Sequence, residues 1–582
     1  MAGRRLTCAI ATIAVASYPL LSAGTPATAR PSEGFSARLE RAALLTGIDV
    51  TELRRRMSAD VTLGVTEEGR LHYTEPAANA AEAEAPAPEP QAVTSLASTF
   101  TLHSNPGATY TILLDFDGER VAGTGWNSAA KLPAMTHPAW DPAGDGPAFS
   151  ASERTLVQDV WRRVAEDYAP FDVDVTTEDP GAAGLERGSS ADTTYGVRML
   201  ISPSDTAVET LCTYCGGIAF MDVFDMLNNA YRIGWVFPQA LYDNPKYIAD
   251  AAAHEAGHTL GLAHDGHGSD AYYEGHDAWG PIMGAGYLRP VTQFSKGDYA
   301  KATNTEDDLA ILTGLLGQRP DEAGTGIADA APLGSGAGII TNRKDKDTYA
   351  LGTCTGPLTV TAVPGETGAN LDIELTLLDA AGAVVDSDDP AVVRRSTAQA
   401  TGLDAEVGVG SATGAYYVRV DGVGHGTATT GYNDYGSIGA YQLTVDGTCA
   451  DSTDPVDPTD PGVEEPAEET DGTGTAATTQ EVAGATITLS APRRARAGTR
   501  PRVVVEVERT ATDGVEDARG QVRFRLGKRT VRTVRLSDGT ARIRLPRLAR
   551  SRPTQVLRAT YRGNALTESA RAHQRLRILR RR

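Results

Sequence analysis

Residues His254 to His264 read His-Glu-Ala-Gly-His-Thr-Leu-Gly-Leu-Ala-His, and this stretch restricts what the chain can fold into more than any other. On a helix, His254 and His258 project from one face and can share one metal ion through neutral imidazole nitrogens. Glu255 is rotated by about 100° from His254, so its carboxylate stays beside the metal and remains free to accept a proton. Gly261 can take the left-handed conformation that ends a helix, and the chain can then return His264 to the same ion. Three protein ligands leave a fourth position open, as a catalytic site requires and a closed structural site does not. A surface helix with scattered histidines is the competing reading, and it leaves the agreement of five spaced positions to coincidence.

The same five positions form the metzincin signature, and the chain resembles a metzincin metallopeptidase. Asp265, directly after the third histidine, is similar to the adamalysin or reprolysin branch, and Pro281-Ile282-Met283-Gly284 resembles the methionine turn, with Met283 as the floor of the site. Some members place a tyrosine two residues after that methionine; here the position is Ala285 and the nearest tyrosine is Tyr287, so no tyrosine ligand is carried over. The resemblance implies one catalytic zinc held by His254, His258 and His264, with Glu255 as general base in the hydrolysis of a protein or peptide substrate. It also implies an edge strand that pairs with extended substrate. Gly217-Ile218-Ala219-Phe220 is the candidate, although these residues read equally well as an ordinary buried strand. Two other functions compete: an extracellular binding protein or adhesin with an inactive zinc domain, and a zinc amidase acting on cell-wall peptides.

The first residues set the expected compartment. Arg4 and Arg5 precede an apolar stretch from Leu6 to Ala23, and Ala27-Thr28-Ala29 has the form of a signal-peptidase site, so residues 1–29 read as an export signal. Pro19 argues against a stable membrane span, and a secreted or cell-wall-associated protein is expected. Cys8 would leave with the signal, and four cysteines remain. They allow three connectivities, and domain logic favours Cys212 with Cys215 and Cys354 with Cys449. Residues 30–97 read as a propeptide ending in an Ala/Glu/Pro linker, with one short helix and few core-building residues. This segment carries no cysteine, so latency through a thiolate on the metal is unavailable to it. A monomer is the default expectation.

From about residue 98 to 320 the pattern is α/β: a twisted mixed sheet plus the active-site helix. Strands are expected at Tyr110–Phe116, Phe171–Val175, Val197–Ile201, Gly216–Phe220 and Ile233–Phe237. Ser150 and Glu153 have capping-box spacing ahead of a helix, the active-site helix starts near Pro245, and a closing helix covers Thr305–Leu316. Asp115, Asp117 and Asp222 are candidates for calcium, against the commoner reading of solvated turn residues.

Two all-β sandwiches are expected to follow. Residues 321–450 alternate apolar and polar positions, as in Leu371, Ile373, Leu375 and Leu377. The stretches Asn370-Leu371-Asp372-Ile373, Gly414 to Val420 and Gly431 to Gly436 resemble the pre-peptidase C-terminal domain of secreted bacterial peptidases. Within them, Tyr432 and Tyr435 are either packing residues or a sugar or peptide platform. Residues 451–482 are an acidic Pro/Thr linker. Residues 483–582 resemble bacterial immunoglobulin-like repeats. The formal charge of −21 divides unevenly: Arg493 to the end holds 26 Lys or Arg against 7 Asp or Glu, a net of +19, which leaves −40 for the rest. Arg523, Arg525, Arg542 and Arg544 alternate with apolar residues and are expected on outward faces, making a cationic surface for an anionic wall polymer.

Overall fold

The computed structural model describes residues 33–78, 90, 92–146 and 148–450, and most of 484–579. The export signal, most of the Ala/Glu/Pro tract and the acidic linker lie outside the described residues. The chain divides into two compact units, one ending at Pro458 and the other starting at Thr459. Among the described residues no helix is long and apolar enough to cross a membrane.

The segment before residue 79 is more ordered than its composition suggests. Helices α1 (Glu33–Thr46) and α2 (Val50–Ala59) pack through Leu39, Ala42 and Leu53 onto Leu63, Val65, Leu71 and Tyr73, a small core of their own. Asp49 caps α2 by accepting from the Thr51 amide at 2.7 Å. Strands β1 (Gly64–Val65) and β2 (Leu71–Glu75) then join the main sheet.

All five expected strands form: β3 (Tyr110–Asp115), β4 (Val173–Thr176), β5 (Tyr195–Ile201), β6 (Gly217–Phe220) and β7 (Ile233–Val236). The seven-stranded order is β1-β2-β6-β7-β5-β3-β4. Strands β4, β3, β5 and β7 run parallel, which explains their nearly continuous apolar sequences, since both faces of a parallel sheet are covered. Strand β6 runs antiparallel to β7. One face packs on helices α3 (Ala151–Asp167) and α4 (Pro245–Thr259) through Ile112, Val175, Val197 and Met199. The other face carries a second cluster with Trp126, Ile218, Phe220 and Trp235.

Local signals hold where they were expected. Ser150 and Glu153 form the capping box of α3, and Asn244 caps α4 by accepting from the Lys246 amide at 2.9 Å. Helix α4 is buried along nearly its whole length, and its alanines at 249, 251–253 and 256 let it approach the sheet closely. The closing helix α5 is shorter than expected, Asp308–Leu316, because the Asp307 side chain takes the cap position and accepts from the Ala310 amide at 3.0 Å.

The unit from 321 to 450 has the predicted strands, hydrogen-bonded as one seven-stranded sheet and a two-stranded pair, Val393–Arg394 with Ala400–Thr401. Its long strands, Lys346–Pro364 and Ala405–Gly422, shift register between Ala350 and Gly352 and between Gly356 and Leu358, where bulges bend them around a single core. Cys354 faces Cys449 across two of its strands, and that disulfide and Cys212–Cys215 both form. Tyr432 and Tyr435 are packing residues: the Tyr432 hydroxyl donates to Asp372 at 2.9 Å, and that of Tyr435 to Asp307 at 2.8 Å.

The second unit has a four-stranded and a five-stranded sheet around Val503, Val505, Phe524, Leu557 and Tyr561. Arg542 and Arg544 are exposed, as alternation requires, and Arg525 is partly so. Arg523 corrects the expectation. It is only 7% exposed, on a strand paired on both sides within the five-stranded sheet.

Candidate metal centre

Helix α4 delivers His254 and His258 from one face, and the turn at Gly261, with φ of 101°, returns the chain so that His264 meets them. One donor atom from each of the three rings lies within 4.8 Å of the others, and all three side chains are buried. His254 Nδ1 lies 2.8 Å from the Ile282 carbonyl, and His258 Nδ1 lies 2.8 Å from the Leu262 carbonyl. These carbonyls can only accept, so each Nδ1 carries the hydrogen and each Nε2 presents a lone pair. His264 Nδ1 lies 2.7 Å from Asp60, a carboxylate of the segment ahead of residue 98. The Nε2 atoms of His258 and His264 face each other at 3.0 Å. Burial holds all three rings below the ordinary histidine range, His254 down to about 3, so they are neutral. Converging neutral lone pairs with committed Nδ1 hydrogens fit a cation that prefers imidazole, such as zinc.

Glu255 lies beside this cluster, fully buried, with no hydrogen-bond partner on either oxygen. Burial pushes its carboxyl well above the usual range, and the nearby Glu75 adds to the shift. Gly217 is what makes room for it: a Cβ there would sit 2.4 Å from Glu255 Oε1. Met283 lies fully buried under the site, and a Cβ on Gly257 would meet its Sδ at 2.6 Å, so the glycine inside the motif admits the methionine. The Asp265 amide donates to the Met283 carbonyl at 2.7 Å and ties the turn to the third histidine. Tyr287 is not in this cluster; its hydroxyl donates to the Pro76 carbonyl at 3.1 Å.

Strand β6 is the outermost strand that residues 98–320 contribute, and its outer side is taken by β2. Their antiparallel register pairs His72 with Phe220, Tyr73 with Ala219, Thr74 with Ile218 and Glu75 with Gly217. The Tyr73 ring stacks on His258 at 4.6 Å and lies 4.2 Å from His264. Tyr272, on the loop after the motif, lies 4.4 Å from His264, and its hydroxyl donates to the Thr74 carbonyl. Asp60, Tyr73, Glu75 and Tyr272 were not found by sequence reasoning. The only signal was indirect: aromatic and acidic side chains in a segment otherwise poor in core residues.

Among the described residues, Asp115, Asp117 and Asp222 do not form one ligand group. Asp115 pairs with Arg198, which also reaches Glu119 at 2.5 Å and Asp179 at 2.9 Å. Two other acidic groups lie close enough to share an ion, Asp141 with Asp145 and Glu153, and Asp321 with Asp345 and Asp347.

No known family matches the chain, and no curated protein does. Among solved structures, the sulfur carrier protein SoxY from Chlorobium limicola f thiosulfatophilum is 15% identical over 16% of this chain and 78% of its own, with a TM-score of 0.12. The cysteine proteinase gingipain R is 16% identical over 16% of this chain and 18% of its own, also at 0.12. A GH2 beta-galacturonidase from Eisenbergiella tayi is 12% identical over 40% of this chain and 35% of its own, again at 0.12. Scores this low carry neither fold nor function to this chain.

Proposed function

We propose that the protein is a zinc-dependent metalloendopeptidase of metzincin type, exported from the cell and acting on extended polypeptide. The observation that carries this reading is the 3.0 Å approach of two neutral imidazole Nε2 atoms whose Nδ1 hydrogens are engaged elsewhere. Two facing lone pairs repel each other unless a cation lies between them, and the third imidazole completes its ligand set. Zinc bound there supplies Lewis acidity, making a water nucleophilic near neutral pH and drawing charge from a carbonyl. Glu255 takes the proton of the attacking water and passes it to the leaving amine, and both its oxygens, which have no hydrogen-bond partner, are open to that task. Gly217 keeps the space Glu255 needs, and Met283 and Gly257 set the depth of the histidine pair.

The test combines metal analysis with cleavage. Purified protein should carry one zinc, and His258→Ala should lose it. After limited proteolysis removes the segment ahead of residue 98, the protein should cut denatured protein and stop when a chelator is added. Glu255→Gln should keep the zinc and lose on the order of 10³-fold or more in kcat. Near-normal cleavage by that variant would sink the mechanism. Bound zinc with no cleavage of any polypeptide would favour a binding protein instead.

A further inference from the structure

Strand β2 crosses the metal cleft with its side chains sorted by alternation. His72 enters an aromatic slot, 6.4 Å from the ring centroids of both Trp126 and Phe220. Tyr73 and Glu75 point the other way, Tyr73 over the imidazoles and Glu75 next to Glu255. Thr74 lies between them, and its carbonyl takes the Tyr272 hydroxyl. Backbone bonds flank the pairing at both ends, from the Met221 amide to the Leu71 carbonyl and from the Gly216 amide to the Glu75 carbonyl, each 3.0 Å. A strand present only to complete a core would bury apolar side chains. Besides the apolar Leu71 and Tyr73, this one buries an acid with Glu75 Oε2 unpartnered and half-buries an imidazole, His72, whose Nδ1 is unpartnered, at a cost in desolvation.

Resting on the hydrolase reading above, we propose that Leu71–Glu75 is a built-in substrate stand-in that shows how the site grips its substrate. The strand lies in the substrate's place and direction. The Thr74 carbonyl marks the carbonyl to be attacked, and Tyr272 is the hydroxyl donor to it. His72 and Tyr73 mark a preference for aromatic side chains at the two positions before the residue whose carbonyl is cut. Thr74 is flanked by Tyr73, whose ring stacks on His258, and by Glu75, next to Glu255, and the Tyr272 that donates to its carbonyl lies 4.4 Å from His264. In the reaction, the oxygen of water forms a new bond to that carbonyl carbon and the bond to the following nitrogen breaks. The proton leaves water for Glu255 and ends on the nitrogen. The Tyr272 hydroxyl stays protonated and steadies the charge that builds on the carbonyl oxygen. Ala285 provides no hydroxyl at the position some metzincins use, and Tyr272 supplies one from a different loop.

The test uses the full chain. Hydrogen exchange at Gly217–Phe220 should be slow in the wild type, and peptide cleavage weak. Tyr73→Ala should speed that exchange and raise chelator-sensitive cleavage about 10-fold or more, while Tyr73→Phe, which keeps the ring, should leave the cleft closed. Peptides cut by the Tyr73→Ala chain should be enriched in Phe, Tyr, Trp or His at the two positions before the cut residue. Adding Tyr272→Phe to that chain should lower kcat on the order of 10²-fold with KM within about threefold and zinc content unchanged. Unchanged exchange and activity in Tyr73→Ala, with the chain still folded by circular dichroism, would overturn the stand-in. Cuts without aromatic bias would overturn the substrate class, and an unaltered kcat would overturn the role of Tyr272. Fast exchange with zinc bound and no cleavage at all would overturn the hydrolase reading itself, and the substrate assignment with it.

Discussion

Asp60 acts on the metal site through a histidine. Its carboxylate receives the Nδ1 hydrogen of His264, whereas His254 and His258 rely on backbone carbonyls. A carboxylate behind an imidazole fixes its tautomer and raises its basicity, and losing such a partner typically weakens metal binding by 10- to 100-fold. Asp60→Ala should therefore lower zinc affinity by about that factor in a competition titration against a chromogenic chelator. Asp60→Asn, which still offers an accepting oxygen, should lose less, and equal affinities for all three proteins would refute the role. The residues legible in the sequence and those that were not separate along one line. His254, Glu255, His258, Gly261 and His264 lie on one short stretch whose geometry is helical and local. Asp60 and Tyr73 reach the site from a loop and a strand distant in sequence and Tyr272 from the loop after the motif, and residue type alone marked none of them.

At the scale of elements, helix α3 was legible from its capping box and apolar period, but the environment of its last turn was not. Glu166 and Asp167, the last residues of α3, are buried acids that no local sequence signal singles out. The sheet of residues 337–450 covers both: the Ala440 amide donates to Glu166 at 3.1 Å, and the Asn370 amide group to Asp167 at 2.8 Å. Burial pushes Glu166 from 4.5 up to about 8 and Asp167 well above its ordinary value. An acid raised in this way holds its proton in the folded state after the unfolded chain has released it. Stability contributed here is therefore fully present below about pH 4.5 and lost as pH climbs through about 8. The wild-type Tm should fall by several degrees across that window from this effect, on the order of a few kcal/mol at most. Glu166→Gln keeps an acceptor for Ala440 and should flatten the slope; a slope identical to the wild type in thermal melts would refute the assignment. Strand β2 escaped notice for a related reason. Leu71-His72-Tyr73-Thr74-Glu75 has little apolar content, and its partner β6 lies far along the chain, so its pairing is set by tertiary context.

At the scale of the whole molecule, charge is segregated along the chain: the residues before Arg493 carry −40 and those from Arg493 onward +19. Strand alternation made most of the basic surface legible, since Arg542, Arg544, Arg558 and Arg577 alternate with core residues and all four are exposed. The burial of Arg523 was not legible, because alternation gives the face a residue points to and says nothing of what covers that face. A surface carrying this excess of guanidinium attracts polyanions through long-range Coulomb forces that ions screen within about 8 Å at physiological ionic strength. Residues 483–582 should accordingly retain an anionic wall polymer in low salt and release it as salt rises, with apparent affinity falling roughly tenfold or more between 50 mM and 300 mM. Replacing Arg542 and Arg544 with Gln should reduce both the affinity and its salt slope, because these side chains contribute charge to the surface and none of its core. Retention that does not change with salt would mean the basic face is merely solvated. In that case the second unit would act as a spacer, and any delivery of the first unit to a surface would have to come from residues before the linker.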